Sequence, residues 1–353
     1  MTDRVIGKES LREFGRTCFV SAGLEEDAAD VVARDLVAAE LRGLASHGVS
    51  RIPMYVDRIE KNVVNPRPKI GVESRGAAAI LIDGDDGMGF LVAHRGIEEG
   101  IKVAEKTGLC MVGVRRSTHF GMSALYVRQA LEAGYNSLVF TNSSPAIAAW
   151  GGRTPFLGAA PLAAGLVGGL HSPPYLLDMA MTVIARGKIR VAMTRGEPIA
   201  EGLALDSEGA PTTDARKAFE GVCLPFGGVK GSALSMLMDL MAGLFTGANF
   251  GGDVKSLYYD HSAPQNVGHL FMLMRPDLFM PLQLYRERMD IFHDRLKALP
   301  RAKGVEEILM PGELETKIEK RREAEGIPVN GKILDELAEL ARRLGLDLPD
   351  FLY

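Results

Sequence analysis

A short polar stretch near residue 50 brings together side chains that could bind a small acid and transfer a proton to it. Residues 40–55 supply an imidazole at His47, a guanidinium at Arg51 and a phenol at Tyr55, with Ser46 beside the histidine. Arg51 could hold a carboxylate through two parallel hydrogen bonds, and His47 titrates close to neutral pH. These residue types predict a site for a small substrate that carries a carboxylate.

The same stretch predicts a helix that would hold these side chains on one face. If Ser50 caps this helix, Pro53 falls in the first turn, where its missing N–H breaks no helical bond. Arg51 and Tyr55 are four residues apart, so they would share a face. The alternative is a solvated surface helix on which Arg51 and Tyr55 only cover apolar neighbours. Spacing alone favours that alternative.

Two further polar side chains lie near the ends of predicted strands. His119 follows a strand over residues 111–114, and Asp178 lies within an apolar strand over residues 175–182. A histidine in that position is either a proton carrier or a hydrogen-bonded structural residue. A buried aspartate is costly unless it is paired. Asp178 therefore either binds backbone N–H groups or orients His47 and stabilises its charged form.

Two glycine-rich segments resemble nucleotide-binding loops but do not match them. The segment from Gly87 lacks the third glycine of the dinucleotide fingerprint and the acidic residue that would bind a ribose. In residues 227–232, Lys230 precedes its glycine and the spacing is too short for a Walker A loop. The start of the apolar helix over residues 234–245, with Lys230 beside it, is either an anion site or a plain glycine turn.

Composition excludes several classes of protein. The 353 residues include 46% hydrophobic residues, and the formal net charge is −4. Nothing in this composition points to nucleic acid, and no apolar run is long enough to span a bilayer. The three widely spaced cysteines predict free thiols in a cytoplasmic protein. The other five histidines show no metal-ligand spacing, so we expect no metal: His94, His171, His261, His269 and His293.

The order of predicted elements favours helical ends around an α/β middle. Helices are predicted up to about residue 60 and again beyond residue 277, and the prolines of residues 65–69 mark a linker. Short apolar strands alternate with helices between residues 77 and 140. The helix over residues 234–245 is apolar on nearly all sides, so it is predicted to be buried.

Several motifs in order resemble the malate/L-lactate dehydrogenase family of NAD(P)-dependent oxidoreductases, which is unrelated to the Rossmann-fold lactate and malate dehydrogenases. The resemblance covers nearly the whole chain. It rests on Ser46-His47-Gly48-Val49-Ser50-Arg51-Ile52-Pro53-Met54-Tyr55, on Ser117-Thr118-His119-Phe120-Gly121, on Leu176-Leu177-Asp178-Met179-Ala180, on Leu224-Pro225-Phe226-Gly227-Gly228-Val229-Lys230-Gly231-Ser232 and on Pro311-Gly312-Glu313.

The resemblance implies an α/β (α+β) fold of non-Rossmann type. Its cofactor domain, residues 74–275, would contain a mixed, mostly antiparallel sheet. The helical segments 1–73 and 276–353 would pack together as the second domain. The resemblance also implies NAD or NADP as cofactor and a homodimer.

The resemblance assigns roles to named residues. Acid–base chemistry would fall to His47 with Ser46 and Asp178, and His119 would be its alternative or partner. Substrate binding would fall to Arg51 and Tyr55. Cofactor binding would fall to Ser143, Asp178, Met179, Ala180, Lys230, Gly312 and Glu313.

The expected reaction is hydride transfer between nicotinamide and C2 of a small 2-hydroxy or 2-oxo acid. Two alternatives stay open. The chain could be an NADPH-dependent reductase of cyclic imine 2-carboxylates, or a relative that binds the cofactor without catalysis. The sequence does not distinguish malate, lactate, sulfolactate and ureidoglycolate as substrates.

Overall fold

The computed structural model describes residues 1–353 as thirteen strands and eleven α-helices. The strands are β1 (Arg4–Ile6), β2 (Gly71–Gly76), β3 (Ala79–Asp83), β4 (Leu109–Ser117), β5 (Asn136–Thr141), β6 (Pro145–Ile147), β7 (Leu157–Gly158), β8 (Leu162–Leu166), β9 (Tyr175–Met179), β10 (Ala204–Leu205), β11 (Val222–Cys223), β12 (Val267–Met274) and β13 (Ile327–Val329). The helices are α1 (Lys8–Ser21), α2 (Glu26–Leu41), α3 (Ile52–Glu60), α4 (Gly89–Thr107), α5 (Ala124–Glu132), α6 (Arg186–Arg195), α7 (Ala215–Glu220), α8 (Val229–Asp239), α9 (Leu282–Lys297), α10 (Glu313–Glu325) and α11 (Gly331–Arg343).

A seven-stranded sheet forms the centre of the molecule, in the order β2-β3-β4-β12-β5-β8-β9. Only β3 and β4 run parallel, and the other five neighbouring pairs are antiparallel. The expected mixed and mostly antiparallel sheet is therefore confirmed. A parallel pair needs a crossover connection, and α4 supplies it between β3 and β4.

Helix α4 packs closely on this sheet because two of its residues are glycines. A Cβ atom at Gly96 would lie 2.9 Å from the ring of Phe271 on β12. A Cβ atom at Gly100 would lie 2.6 Å from the side chains of Leu273 and Val112. Both glycines are buried, so the helix backbone approaches the strands at a distance that a larger residue would prevent.

The two ends of the chain lie together on one side of the sheet. Strand β1 pairs antiparallel with β13, so that Arg4 lies opposite Val329. The N-terminal amino group donates to the Asp335 carboxylate at 2.8 Å. Helix α10 is joined to the end of α2 through Arg42 and Glu319, whose side chains lie 2.9 Å apart. The domain boundaries near residues 73 and 275 stay a prediction.

A smaller lobe interrupts the order of strands after β5. Strands β10, β11, β6 and β7 form a separate four-stranded sheet. Helices α6 and α7 cover it, and Ile189, Ile147 and Leu157 are among its buried residues. The sequence gives only turn signals over residues 186–213, so α6 was not predicted. Its polar, Arg-rich composition buries a single side chain, and such a helix has almost no apolar periodicity to detect.

Two local predictions are wrong. Ser50 does not cap α3, because its hydroxyl donates to the Ala45 carbonyl at 2.9 Å and Arg51 occupies the N-cap position. The apolar helix expected at 234–245 begins earlier, at Val229, and continues from Asp239 into a π-helical turn over Leu240–Leu244. It is not fully buried in this chain, since Leu237 and Phe245 are 46% and 62% exposed.

No helix in the described chain combines the length and the apolar character that crossing a membrane requires.

Helix α9 is held to the connection between β8 and β9 by one carboxylate. The Asp290 oxygens accept the backbone N–H groups of Leu170, His171 and Ser172 at 2.8, 3.2 and 2.9 Å. Burial by itself would raise the pKa of Asp290, but the hydrogen bonds from Ser172, Leu170 and His171 outweigh burial and hold that pKa far below its usual range. The charged form is therefore the one that the fold stabilises.

We expect Asp290→Asn to lower the urea midpoint of unfolding at pH 7, since the amide keeps only one accepting oxygen and places its NH2 group against an N–H that the carboxylate accepts. A depressed native pKa contributes stability above the unfolded-state value of about 3.9, and this stability is lost as the pH falls below it. The difference between wild type and Asp290→Asn should therefore shrink below about pH 4. Asp294→Asn, in an exposed position on the same helix, is the control. A difference that does not change with pH would contradict this explanation.

Candidate active site

The turn between α2 and α3 is fixed by a buried glutamate. It consists of two 3-10 helices, Ala45–His47 and Val49–Arg51. The Glu40 carboxylate lies beneath them and accepts the Val49 N–H at 3.1 Å. A Cβ atom on Gly48 would lie 2.1 Å from the same oxygen, so a larger residue there would displace the carboxylate. Burial raises the pKa of Glu40 to about 7.

The turn places His47 beside the histidine that follows β4. The rings of His47 and His119 stack with their centroids 5.8 Å apart and their planes 19° apart. Burial, with a smaller contribution from Arg51, lowers the pKa of His47 to about 4. Burial also lowers the pKa of His119 well below its usual value, with Arg51 and His47 adding to the effect. Both imidazoles are therefore neutral at pH 7.

The hydrogen bonds of His119 define which of its nitrogens carries the proton. Its Nδ1 lies 2.6 Å from the Tyr55 hydroxyl and 3.3 Å from the Gly121 backbone nitrogen. Burial raises the pKa of Tyr55, so the phenol keeps its proton and can donate it. Because the Gly121 N–H is also a donor, Nδ1 must be the acceptor. Neutral His119 therefore carries its hydrogen on Nε2 and presents an N–H group to any ligand.

The hydrogen bond of His47 does not fix which of its ring nitrogens carries the proton. Its Nδ1 lies 3.0 Å from the Ser46 hydroxyl, which can accept an N–H or donate an O–H. If Nδ1–H donates to Ser46, the Nε2 lone pair is free to accept a proton. Neither His47 Nε2 nor His119 Nε2 has a hydrogen-bond partner within the protein.

Arg51 has two terminal nitrogens that the protein leaves unpaired, and one of them is buried. Its Nε donates to the Ser46 carbonyl at 2.6 Å. Its Nη1 is buried and has no hydrogen-bond partner. The Tyr258 ring covers one face of the guanidinium, with 5.2 Å from the ring centroid to Cζ. The free end of this guanidinium matches the bidentate geometry of a carboxylate. Sequence reasoning missed Tyr258 because no local motif links it to residue 51.

Asp178 does not pair with His47, so the predicted orientation of His47 by Asp178 is not supported. Its carboxylate accepts the Ala124 N–H at 2.8 Å, at the start of α5. A carboxylate is favoured there because helix N-termini carry unpaired N–H groups and partial positive charge. Burial nevertheless raises the pKa of Asp178 to about 6, against the opposing hydrogen bond from Ala124. Ser46 is the only side chain that hydrogen-bonds to His47 in this structure.

Most residues predicted to bind the cofactor lie around the end of β9. Asp178 and Met179 belong to this strand and Ala180 follows it. The next residue, Met181, donates to the Ala159 carbonyl at 2.8 Å and accepts the Phe226 N–H at 3.0 Å. Ser143 also lies near this end of β9, because its hydroxyl is 3.5 Å from the nitrogen of Ala160, the residue after Ala159.

The turn before α8 has the features of a phosphate-binding loop. Gly227 and Gly228 both have positive φ, 58° and 64°, and lead directly into the N-terminus of α8. Lys230 is exposed in the first turn of this helix. Successive backbone N–H groups at a helix N-terminus, with a lysine beside them, suit an anion. These residues could therefore hold a phosphate group, such as one of those of a dinucleotide.

Gly312 and Glu313 lie at the beginning of β9, away from Lys230. The Pro311 carbonyl accepts the Leu176 N–H at 3.1 Å, and a Cβ atom on Gly312 would lie 2.9 Å from Leu176 Cβ. The Glu313 carboxylate is already bound by Lys297 at 2.5 Å and by the Met310 N–H at 2.8 Å. In this structure Glu313 stabilises the turn before α10.

Comparison with known proteins places this architecture in a known class. The family model described as malate/L-lactate dehydrogenase matches residues 6–338. Malate dehydrogenase of Pyrococcus abyssi is 36% identical over 349 residues, which cover 97% of this chain and 95% of that protein. The solved structure of sulfolactate dehydrogenase from Methanocaldococcus jannaschii superposes with a TM-score of 0.91 at 33% identity and covers 98% of both chains.

A third similar protein has a different substrate in its name. The solved structure of delta1-piperideine-2-carboxylate reductase from Pseudomonas syringae superposes with a TM-score of 0.84 at 28% identity and covers 96% of this chain and all of that one. Two further relatives carry their cofactors in their names, NAD(+) for a ureidoglycolate dehydrogenase of Escherichia coli and NADP(+) for a sulfolactate dehydrogenase of Chromohalobacter salexigens.

The fold and its relatives define an oxidoreductase of 2-hydroxy acids whose central sheet is mixed and mostly antiparallel, unlike a Rossmann fold. The chain belongs to the malate/L-lactate dehydrogenase family.

Proposed function

We propose that this enzyme transfers a hydride between NAD(P) and C2 of a small 2-hydroxy or 2-oxo acid at the site formed by His47, His119 and Arg51. One observation carries the proposal. A buried guanidinium nitrogen without a partner lies beside two neutral imidazoles whose Nε2 atoms are also free. A ligand with a carboxylate and an adjacent oxygen satisfies all three groups, whereas a ligand without a carboxylate leaves Arg51 unpaired.

The chain's own residues divide the work in the following way. Arg51 binds the carboxylate and thereby fixes the orientation of C2. In the oxidation direction, His47 Nε2 accepts the proton of the C2 hydroxyl while Nδ1–H donates to Ser46. The His119 Nε2–H, held by Tyr55, donates a hydrogen bond to the same oxygen. Bound NAD(P) would supply the hydride acceptor for C2.

Substrate binding should also change the basicity of His47. The positive charge of Arg51 contributes to the low pKa of this histidine. A carboxylate bound to Arg51 neutralises that charge, so the pKa of His47 rises when the substrate is present. This coupling favours protonated His47 in the complex, which the reduction direction requires.

The cofactor contacts stay a proposal for every residue. The turn before α8 supports Lys230 as a phosphate-binding residue, and the position of β9 supports Asp178, Met179, Ala180 and Ser143. Gly312 and Glu313 would line the cofactor site from the other end of the same strand.

A panel of substrates tests the proposed reaction. Oxidation of NADH and NADPH is followed with pyruvate, oxaloacetate, sulfopyruvate and a cyclic imine 2-carboxylate. We expect turnover of at least one open-chain 2-oxo acid. A preference for the cyclic imine would favour the alternative reductase activity, to which one structural neighbour points. No turnover with any of them, despite binding of the nucleotide, would favour the non-catalytic alternative.

Arg51→Ala should raise the KM for the 2-oxo acid by two to three orders of magnitude, since a charge-assisted bidentate bond contributes on the order of 2–4 kcal/mol. The dissociation constant of the nucleotide should not change, because Arg51 is assigned only to the acid. Nucleotide binding is measured by fluorescence titration, and Arg34→Ala, at an exposed arginine of α2, is the control. Equal loss of acid and nucleotide binding would contradict the assignment.

His47→Asn and His119→Asn should differ in their pH profiles. His47→Asn removes the proton acceptor, so it should lower kcat by about 10²–10⁴-fold and abolish the acid limb of the profile, which is the fall in rate at low pH. Removing the donor at His119 should lower kcat but keep that limb. In the wild type, kcat/KM for oxidation needs neutral His47, so it should be flat from pH 8 to about 5 and fall near pH 4. Near-normal activity of His47→Asn would transfer the role to His119.

We also propose a homodimer in the cytoplasm. The three cysteines are buried free thiols, which is typical of a reducing compartment. Helix α8 and the following turn expose a continuous apolar face, and faces of this kind mark contact with another protein. The face consists of Val229, Met236, Leu237, Leu240, Leu244 and Phe245. A second copy of the chain is the partner that the family resemblance implies.

Leu237→Glu should convert the dimer to a monomer, because a charge in the middle of an apolar contact is buried without a partner. Light scattering should give twice the 38.1 kDa mass of the chain for the wild type and the single mass for the variant. Val191→Glu, at a similarly exposed residue of α6, should remain dimeric. A wild type of single mass would contradict the proposed dimer.

A further inference from the structure

We infer that Tyr258 is a positioning residue for substrate binding, which acts by holding the Arg51 guanidinium in the orientation that receives the carboxylate. The inference rests on the proposed function, because it assigns Tyr258 to the same acid-binding site. No motif points to this residue, which lies 207 positions after Arg51 in an irregular segment between α8 and β12.

The contact leaves one side of Arg51 available. The Tyr258 ring covers a face of the guanidinium at 5.2 Å, and the Ser46 carbonyl occupies its Nε edge at 2.6 Å. Only the end that carries Nη1 and Nη2 remains without a protein partner, and Nη1 is buried. A cation over an aromatic face is attracted by the ring. The ring therefore restricts rotation of the guanidinium about its long side chain before any acid binds.

The segment that carries Tyr258 is itself fixed from helix α3. Arg58 is fully buried, and its Nη1 lies 3.3, 3.4 and 3.3 Å from the carbonyl oxygens of Ser256, Leu257 and Asp260. His261 lies 3.3 Å from Asp57, the neighbour of Arg58 on the same helix.

Within this segment, the Ser256 hydroxyl accepts the N–H groups of Tyr258 and Tyr259 at 3.3 and 3.2 Å. The half-exposed Tyr258 ring is thus attached to a segment that buried groups hold in place.

One side chain joins this segment to the histidine pair. Buried Gln265 donates to the Lys255 carbonyl at 2.9 Å and accepts the backbone N–H of His119 at 3.4 Å. The Gln265 side chain therefore holds both the segment that carries Tyr258 and the backbone of His119. Arg51, Tyr55 and Arg58 all lie on or next to α3. The same helix therefore carries the tyrosine that holds His119 and the arginine that holds the segment of Tyr258.

We assign the positioning role to the face of the Tyr258 ring. Three variants distinguish this role from one of the hydroxyl group or of the neighbouring tyrosine. Tyr258→Phe keeps the ring and removes the hydroxyl. Tyr258→Leu removes the ring. Tyr259→Leu is the matched control, since Tyr259 is the next residue, is 82% exposed and makes no contact with Arg51. These positions are exposed or half-exposed, so we expect all three variants to fold with the melting temperature of the wild type.

The test measures acid binding and turnover separately. Calorimetric titration of oxalate, an unreactive dicarboxylate, into the enzyme saturated with NAD+ or NADP+, whichever it binds more tightly, reports on acid binding. For Tyr258→Leu we expect the dissociation constant of oxalate and the KM for the 2-oxo acid to rise by about 2- to 30-fold. The kcat should change by less than about threefold, and the dissociation constant of NADH should not change. Tyr258→Phe and Tyr259→Leu should both behave as the wild type.

Three outcomes would overturn the inference. Tyr258→Leu could bind oxalate as tightly as the wild type, Tyr258→Phe could lose as much as Tyr258→Leu, or kcat could fall while KM stays constant. A wild type that binds oxalate but turns over no 2-oxo acid would contradict the proposed function alone. The comparison of oxalate binding between Tyr258→Leu and Tyr258→Phe would still decide the role of the ring.

Discussion

A buried guanidinium with an unpaired nitrogen is the constraint on which the active site depends. Leaving a buried donor unsatisfied costs about 1–3 kcal/mol, and more when the group is charged. The fold holds Arg51 in this position because Glu40, which lies beneath Gly48 and Val49, fixes the turn that carries the arginine. Burial and, to a smaller extent, the same charge lower the pKa of His47. The carboxylate that we propose for Arg51 would therefore also change the proton affinity of this neighbour.

The central sheet explains how distant parts of the chain reach this turn. Strand β4 ends just before His119, and its neighbour β12 begins just after the segment that carries Tyr258. Strand β9, at the edge of the sheet, has Gly312 at one end and the turn before α8 near the other. Asp178 on this strand contacts the start of α5, which follows His119 by a few residues. The proposed cofactor and acid sites are therefore connected through short stretches of backbone.

The sequence was sufficient for the features that local patterns encode. Local patterns predict the strands with apolar runs, the amphipathic helices and the resemblance of the stretch 46–55. The mostly antiparallel sheet is predicted from the family that this resemblance indicates. The pairing of Asp178 with His47 could not be tested without coordinates, because a carboxylate in an apolar strand is equally satisfied by the N-terminus of a helix. Tyr258 was not detectable, since its position depends on Arg58 and on contacts far apart in the chain. The exposed face of α8 was predicted to be buried because hydrophobicity does not distinguish a core from a surface covered by another chain.

A crystal structure of the enzyme with oxalate and the oxidised nucleotide that it binds, NAD+ or NADP+, would test the central claim most directly. The account predicts one oxalate carboxylate within hydrogen-bonding distance of Arg51 Nη1, and an oxygen of the same molecule facing the Nε2 atoms of His47 and His119. Oxalate bound elsewhere, with Arg51 Nη1 still unpaired, would contradict the account.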